Sequence, residues 1–386
     1  MSDLPRIAIV QNRIGKGGRL HVIVHTIKLL NKMGIVPDIV TQKMRLSTDE
    51  IQKYYKVKIN YNLREIFIDL RLPYEWHIVL FNFLTKFYCK DYDLIINNNN
   101  TSFLGPRRKR TISYVHYPRI DRNLSKNVSI HFPEGPVKRI YRFNDFFNIV
   151  IGWLYRLNKN LLANEIVIAN SRFTKKMILK HFPQNNKVID VIYPPVINKQ
   201  MMKRDISDIS PKTILHLGRF TPDKRQLELI KIAGDLPDYL FYIVGFAKKG
   251  DKYLQKCKQY IEKNKLENVI IMNNVDFNKM QEILRESYFF IHNTRNEPFG
   301  ITTVQAIAMG CIPIVHNSGG QKEIVPIDTL RFDTSDEIVN IIRKIDNLPE
   351  DVLVRYRKIL MNQLDTFSED AFETKMKKVL SNYVYN

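Results

Sequence analysis

The sequence predicts an α/β protein built from two Rossmann-like domains, and three observations carry that prediction. Residues 6–10 (RIAIV) form a short apolar run, followed by a glycine loop (Gly15, Gly17, Gly18) and a helix-periodic segment over 21–33 that Gly34 ends. That order of strand, loop and helix opens a Rossmann-like domain. Residues 213–218 (TILHLG) open a second unit of the same kind. Finally, 386 residues are more than one small core accommodates.

The remaining elements follow in chain order. Residues 35–41 and 92–97 read as buried strands, and the strongly aromatic stretch 74–88 between them reads as a helix. Residues 97–100, a run of asparagines, read as a turn, and Arg107–Arg110 is a dense basic cluster. Residues 111–117 (TISYVHY) form a strand ending at His116, with Pro118 just beyond. Residues 137–162 mix cations with Tyr, Phe and Trp, as an interfacial helix or a buried packing helix would. Asn170-Ser171 caps a helix from Arg172. The strand over 187–196 closes at Pro194-Pro195, a double proline that marks a hinge between domains.

In the second half, Arg219 and Lys224 follow the strand that ends at Gly218, and Thr221 to Asp223 are placed to cap the next helix. Strands are expected over 240–245 and 269–272, and helices over 278–286, 335–348, 350–366 and 368–383. The densest stretch is 290–325. A buried strand ends at His292, a polar loop carries Glu297, Pro298 stands where a helix starts, and residues 300–309 read as that helix. Such a junction aims free N–H groups and the positive end of a helix dipole at an anion. A carboxylate at the mouth of an anion site makes sense if it binds neutral hydroxyls, as on a sugar. Ser318-Gly319-Gly320 lets backbone approach something closely.

The loop ending in Phe299-Gly300, with Glu297 and the position eight further on, resembles the nucleotide-sugar signature of the retaining glycosyltransferase family 4, whose fold is GT-B. The family has two glutamates here. In this chain the second is Gln305, a neutral acceptor that weakens a ribose contact. The resemblance implies that Glu297 contacts the donor hexose and that Pro298, Phe299, Gly300, Ile301 and Thr302 line the donor site. It also implies that Gly218, Arg219 and Lys224 (R-x4-K) bind its diphosphate, that Gly17 and Gly18 approach the phosphate, and that His116 contacts the hexose. The segments YVHYP and VIYPPV are similar to one branch, the dolichol-diphosphate oligosaccharide α-1,2-mannosyltransferases of N-glycan assembly. The implied domains are 1–195, 196–367 and a helix, 368–386, that crosses back to the first domain. The two domains of such a fold face each other across a cleft.

Composition narrows the function classes. No apolar run reaches the ~20 residues that span a bilayer. The N-terminal residues lack the charged start and long apolar core of a signal peptide. Three dispersed cysteines fit reduced thiols in a cytosolic protein and neither a disulfide framework nor a zinc cluster. Residues 1–200 carry 33 basic and 14 acidic side chains, a net charge of +19, whereas the remainder carries 27 and 25. That asymmetry points to nucleic acid, an anionic membrane surface or an anionic substrate; a merely basic proteome would spread the charge over both halves. No nucleic-acid module is recognisable, so none is expected as partner.

The expectation is therefore a metal-independent, retaining hexosyltransferase without cofactor. Its donor is a GDP- or UDP-sugar and its acceptor a lipid-diphosphate glycan, at the cytosolic face of a membrane. A soluble transferase, an epimerase of the same fold, a nucleic-acid-binding protein and a donor-binding subunit without catalysis are the competing readings.

Overall fold

The structure is a computed structural model, and it describes residues 4–15, 17–66, 74–99, 110–117, 166–181, 190–197 and 212–384. It divides into two compact units. Of the described residues, the first unit holds those up to Val196 and those from Phe367 onward; the second holds those within Ile197–Thr366.

The first unit is built on a parallel sheet. Its strands are β1 (Ile7–Val10), β2 (Asp38–Thr41), β3 (Asn62–Glu65), β4 (Leu94–Asn97), β5 (Arg110–Val115), β6 (Ile166–Ala169) and β7 (Asp190–Val191). They lie in the order β3-β2-β1-β4-β5-β6-β7. β1 and β4 are buried along their whole length, which is why each reads as an unbroken apolar run. The polar, fully exposed β3 carries no such signal, since an edge strand has few core contacts to satisfy.

The first helix starts at Gly18, three residues earlier than its apolar periodicity indicates, and ends at Lys32. Its N-terminus therefore lies in the glycine loop itself. The helix Arg172–His181 is capped as expected, with Thr174 N–H donating to Ser171 Oγ at 2.9 Å. The C-terminal helix Glu369–Val384 belongs to this first unit. Phe372, Met376 and Leu380, one turn apart, enter the same core as Ile23, Ile27 and Leu30 of the first helix. Lys28 Nζ donates to Glu369 at 2.7 Å beside that seam. The chain leaves the unit just after Pro194-Pro195, where Val196 N–H donates to Phe367 O at 2.9 Å.

The second unit repeats the plan. Its parallel strands are β8 (Thr213–Leu217), β9 (Leu240–Gly245), β10 (Val269–Asn273), β11 (Phe289–His292), β12 (Ile312–His316) and β13 (Arg331–Phe332). Their order is β10-β9-β8-β11-β12-β13. In both sheets the order reverses after the first strand, between β1 and β4 and between β8 and β11. Connections depart in opposite directions there and leave a crevice at the strand C-termini, where open α/β sheets bind ligands. Two expected helices are shorter than their periodicity: Glu337–Asp346, and Glu350–Asn362 followed by the 3-10 turn Leu364–Phe367.

Candidate active site

The crevice of the second unit is formed by the ends of β8 and β11. Gly218 follows β8, and its N–H is held by Val244 O at 3.0 Å. Arg219 comes next, and the chain then turns through a 3-10 segment, Pro222–Lys224, that brings Lys224 back to the strand end. From β11 the loop runs through Asn293 to Glu297. The two meet: Lys224 Nζ donates to Glu297 Oε2 at 2.6 Å, with both side chains mostly buried. His292 Nε2 lies 3.8 Å from the same carboxylate oxygen. One strand over, the His216 ring is anchored through Nδ1 to Ile291 O at 3.0 Å.

Two details of this region differ from the sequence expectation. Thr221 does not cap a helix; its hydroxyl donates to Arg219 O at 3.3 Å, and the helix Gln226–Ile232 begins only after Arg225, which adopts a left-handed conformation. A side-chain cap there is unnecessary because the 3-10 turn already absorbs the change of direction. Pro298 does not begin a helix either. The helix Ile301–Ala308 has Gly300 as its N-cap, at φ 114°, without a side-chain cap. Proline cannot adopt that positive φ, so the helix starts after the glycine. Thr303 N–H and Val304 N–H bond back to Gly300 O, which leaves Ile301 and Thr302 as the amides at the dipole's positive end. Phe299 is buried beneath the loop, and Gln305 is buried one turn along the helix from Ile301.

The Ser318-Gly319-Gly320 turn supports this loop. Gly320 N–H donates to Glu297 O at 2.8 Å, and Ser318 Oγ accepts from Asn296 N–H at 2.7 Å. A Cβ on Gly319 would stand 2.4 Å from Glu297 O, and one on Gly320 2.4 Å from Pro298 O. The backbone these glycines admit is thus that of the Glu297 loop. Sequence alone identifies the need for close approach but not its object.

The electrostatics are set by burial and by Lys224. Burial alone pushes the Glu297 carboxyl up, but the charge of Lys224, with its hydrogen bond, and the more distant charge of Arg219 hold it below the usual carboxylate range. Burial lowers His292 to about 3 and His216 to about 4, so both rings are neutral near pH 7. His21, His25 and His316 are likewise lowered by burial, to about 4, 3 and 4. This gives a prediction with a definite sign. The unfolded chain takes up protons as pH falls through about 6.5, whereas the folded histidines resist until about pH 4. Their contribution is complete above pH 6.5 and is lost on acidification, by up to ~1.4 kcal/mol per pH unit for each histidine. Urea midpoints should be lower at about pH 5.5 than at about pH 7.5; an equal or higher midpoint at the acid pH contradicts the burial of these rings.

In the first unit, the glycine loop and His116 also stand at strand C-termini. Gly17 is the N-cap of the helix Gly18–Lys32 and supplies no side-chain cap. His116 follows β5, and its Nε2 lies 2.9 Å from Asn98 Oδ1. Burial and the charge of Arg19 hold the imidazole well below its ordinary pKa. Turned to satisfy both of its groups, the Gln11 amide accepts from Arg19 Nη1 at 3.2 Å and donates to Asn98 O at 2.6 Å. Arg19, Gln11 and Asn98 thus form a chain that ends at His116. Lys16, Arg107–Lys109 and residues 137–162 lie outside the described residues; Arg110 is exposed, with its guanidinium over the Tyr383 ring.

Sequence reasoning missed His216, His292 and Asn98. The only signal for them is position, at or near the ends of strands that flank a reversal of strand order. That position is known only once the order is known.

Residues 199–351 match the family model described as Glycosyl transferases group 1. The Mus musculus GDP-Man:Man(3)GlcNAc(2)-PP-Dol alpha-1,2-mannosyltransferase is 24% identical over 324 residues, covering 75% of this chain and 66% of that protein. The chain thus matches just under two thirds of that relative's length. Among solved structures, Anabaena Alr3699/HepE in complex with UDP and glucose superposes with a TM-score of 0.69 at 18% identity, over 98% of this chain and 100% of that one. Sucrose-phosphate synthase from Thermosynechococcus elongatus gives 0.71 at 15% identity, over 98% of each. At these identities the structural likeness establishes the fold, two Rossmann-like domains of GT-B type.

Proposed function

We infer that this chain, which carries a glycosyl transferases group 1 domain on a GT-B fold, is a retaining hexosyltransferase. It moves a hexose from a nucleoside-diphosphate sugar to a lipid-diphosphate-linked glycan. The observation that carries the reading is the Lys224–Glu297 pair at the crevice of the second sheet, near the N-terminus of the helix Ile301–Ala308. An ammonium has three donors, so Lys224 can hold Glu297 with one and a phosphate oxygen with another. The pair then presets the offset between a carboxylate that accepts hexose hydroxyls and a cation that holds the diphosphate.

The reaction breaks the bond between the anomeric carbon and the leaving phosphate, on which negative charge develops. Arg219, Lys224 and the amides of Ile301 and Thr302 supply the compensating positive field. These groups take the part that a bound divalent metal plays in other transferases, so the reading is metal-independent. In the retaining route the departing phosphate oxygen accepts the proton of the attacking hydroxyl, and no further base is required. Gln305 accepts from the ribose, Gly218 permits close approach beside Lys224, and Gly17 and Gly18 present a second helix N-terminus. Neutral His116 serves the hexose. The activity for which the mannosyltransferase relatives are named favours GDP-mannose and a dolichyl-diphosphate glycan of N-glycosylation, and the UDP-bound neighbour keeps a UDP-hexose in contention.

Among the described residues no helix is long and apolar enough to cross a membrane. The reading accordingly places this chain peripherally, on the anionic cytosolic face of the membrane that holds the acceptor, with the basic first half toward lipid and not nucleic acid.

The test is calorimetry with GDP and UDP, side by side, in excess EDTA. Binding of one with clear preference is expected, and Lys224→Ala should weaken it about 10- to 100-fold, since a charge-assisted contact is lost. Binding of neither nucleotide by the intact protein sinks the transferase reading, and unchanged affinity in Lys224→Ala removes Lys224 from the diphosphate site.

A further inference from the structure

The helix Tyr74–Tyr88 has part of its polarity reversed. It buries Asn82 and Thr85, at 2% and 0% exposure, with Thr85 Oγ1 closed onto Asn82 O at 2.7 Å. It exposes Phe83 by 46%, Phe87 by 60% and Tyr88 by 48%. The buried side is committed, because Phe81 and Cys89 share a core with Val10, Val40, Tyr92 and Ile95, and Leu84 packs against it. Phe83 and Phe87 stand one turn apart on the outer side, with ring centroids 5.7 Å apart in an edge arrangement. A helix of ordinary amphipathicity would place phenylalanine inward and threonine outward. Two adjacent exposed phenylalanines beside a tyrosine lower the free energy of the protein only if something apolar covers them.

The surroundings favour lipid as the cover. The first 200 residues carry a net charge of +19. Lys86 lies between the two phenylalanines in sequence, and Lys90 is exposed just past the helix end. Asp91 is exposed beside Lys90, and Asp93, engaged by the Arg6 amide, is exposed as well, so lysines and carboxylates balance beside the helix and the excess of cations belongs to the first half as a whole. Phenyl rings at the headgroup boundary, a tyrosine at the edge and lysines nearby make up the composition of a helix that lies in a membrane interface. At 15 residues it is too short to span one.

We propose that Phe83, Phe87 and Tyr88, with Lys90 at the end of their helix, form the face that docks the first unit onto an anionic lipid surface. This deepens the reading of a membrane-borne acceptor, on which it rests, by assigning the contact to a particular element.

The test uses the full chain and sucrose-loaded vesicles of phosphatidylcholine, with and without phosphatidylserine. Wild-type protein should sediment with the phosphatidylserine vesicles, and Phe83→Ser/Phe87→Ser should lower its partition coefficient about tenfold or more. Thermal unfolding and GDP or UDP binding should be unchanged, because both side chains are outside the core and outside the donor crevice. Vesicle binding that survives the double substitution overturns the proposal, as does a wild type that ignores anionic vesicles. A wild-type dimer that the double substitution dissociates also overturns it, since the face is then a contact between two copies. If nucleotide binding fails while vesicle binding behaves as stated, the transferase reading falls and the lipid face stands.

Discussion

Glu297→Gln should lower kcat/KM for hexose transfer by about a hundredfold or more while leaving the fold intact. The substitution keeps the shape of the side chain, and the glutamine oxygen can still accept from Lys224 Nζ, which now sits 2.6 Å from Glu297 Oε2. It removes the negative charge that draws in hexose hydroxyls and balances the adjacent cation. The same change should leave GDP or UDP affinity equal or slightly tighter, because a carboxylate that repels the diphosphate has gone. Loss of transfer with retained nucleotide binding is the split that separates a hexose contact from a structural ion pair. A variant that transfers at the wild-type rate places the hexose elsewhere.

Gly245→Ala should cost about 3 kcal/mol or more, a lowering of Tm by roughly 10 °C. Gly245 ends β9 directly against the end of β8, and a Cβ there would stand 1.8 Å from Gly218 O. Backbone occupies that space, so relief requires the end of β8 to move, and Arg219 with it. Donor binding should therefore weaken along with stability. Gly234→Ala is the matched control: its added carbon meets nothing closer than Leu266 Cδ2 at 3.6 Å, and it should cost under ~1 kcal/mol. Equal costs in the two variants would refute the close approach of β8 and β9.

The parts of the candidate site that were legible share one property: local spacing encodes them. Arg219 and Lys224 lie five apart after a strand, and Glu297 lies a few residues past another. The glycine loop precedes a helix. A short window suffices for each, because strand ends and helix starts are marked by apolar runs and by glycine. What was misjudged is also local but depends on backbone dihedrals. Pro298 looked like a helix start until Gly300 took the left-handed cap, and Thr221 looked like a cap until a 3-10 turn made one unnecessary.

His292 and Asn98 illustrate the other limit. Each is an ordinary polar residue near a strand end, and nothing in its own neighbourhood distinguishes it from a satisfied core side chain. His292 matters because β8 pairs with β11 and brings Lys224 to a carboxylate 73 residues away. Asn98 matters because β4 lies beside β5 and meets His116 across the sheet.

By itself, then, the sequence determined the alternation of strand and helix, the two-unit plan, the polar and glycine-bearing loops at the strand ends and the basic first half, all carried by runs, periods and counts along one dimension. Only the tertiary structure decided the strand order, with its reversal in each sheet. It alone paired Lys224 with Glu297, set the glycines of 319–320 against the Glu297 loop, and turned Phe83 and Phe87 outward. The physical reason is that these depend on which distant segments become neighbours. Hydrophobic burial drives that choice and is not directional, so the chain's local pattern permits several neighbours, and close packing of the whole core selects one.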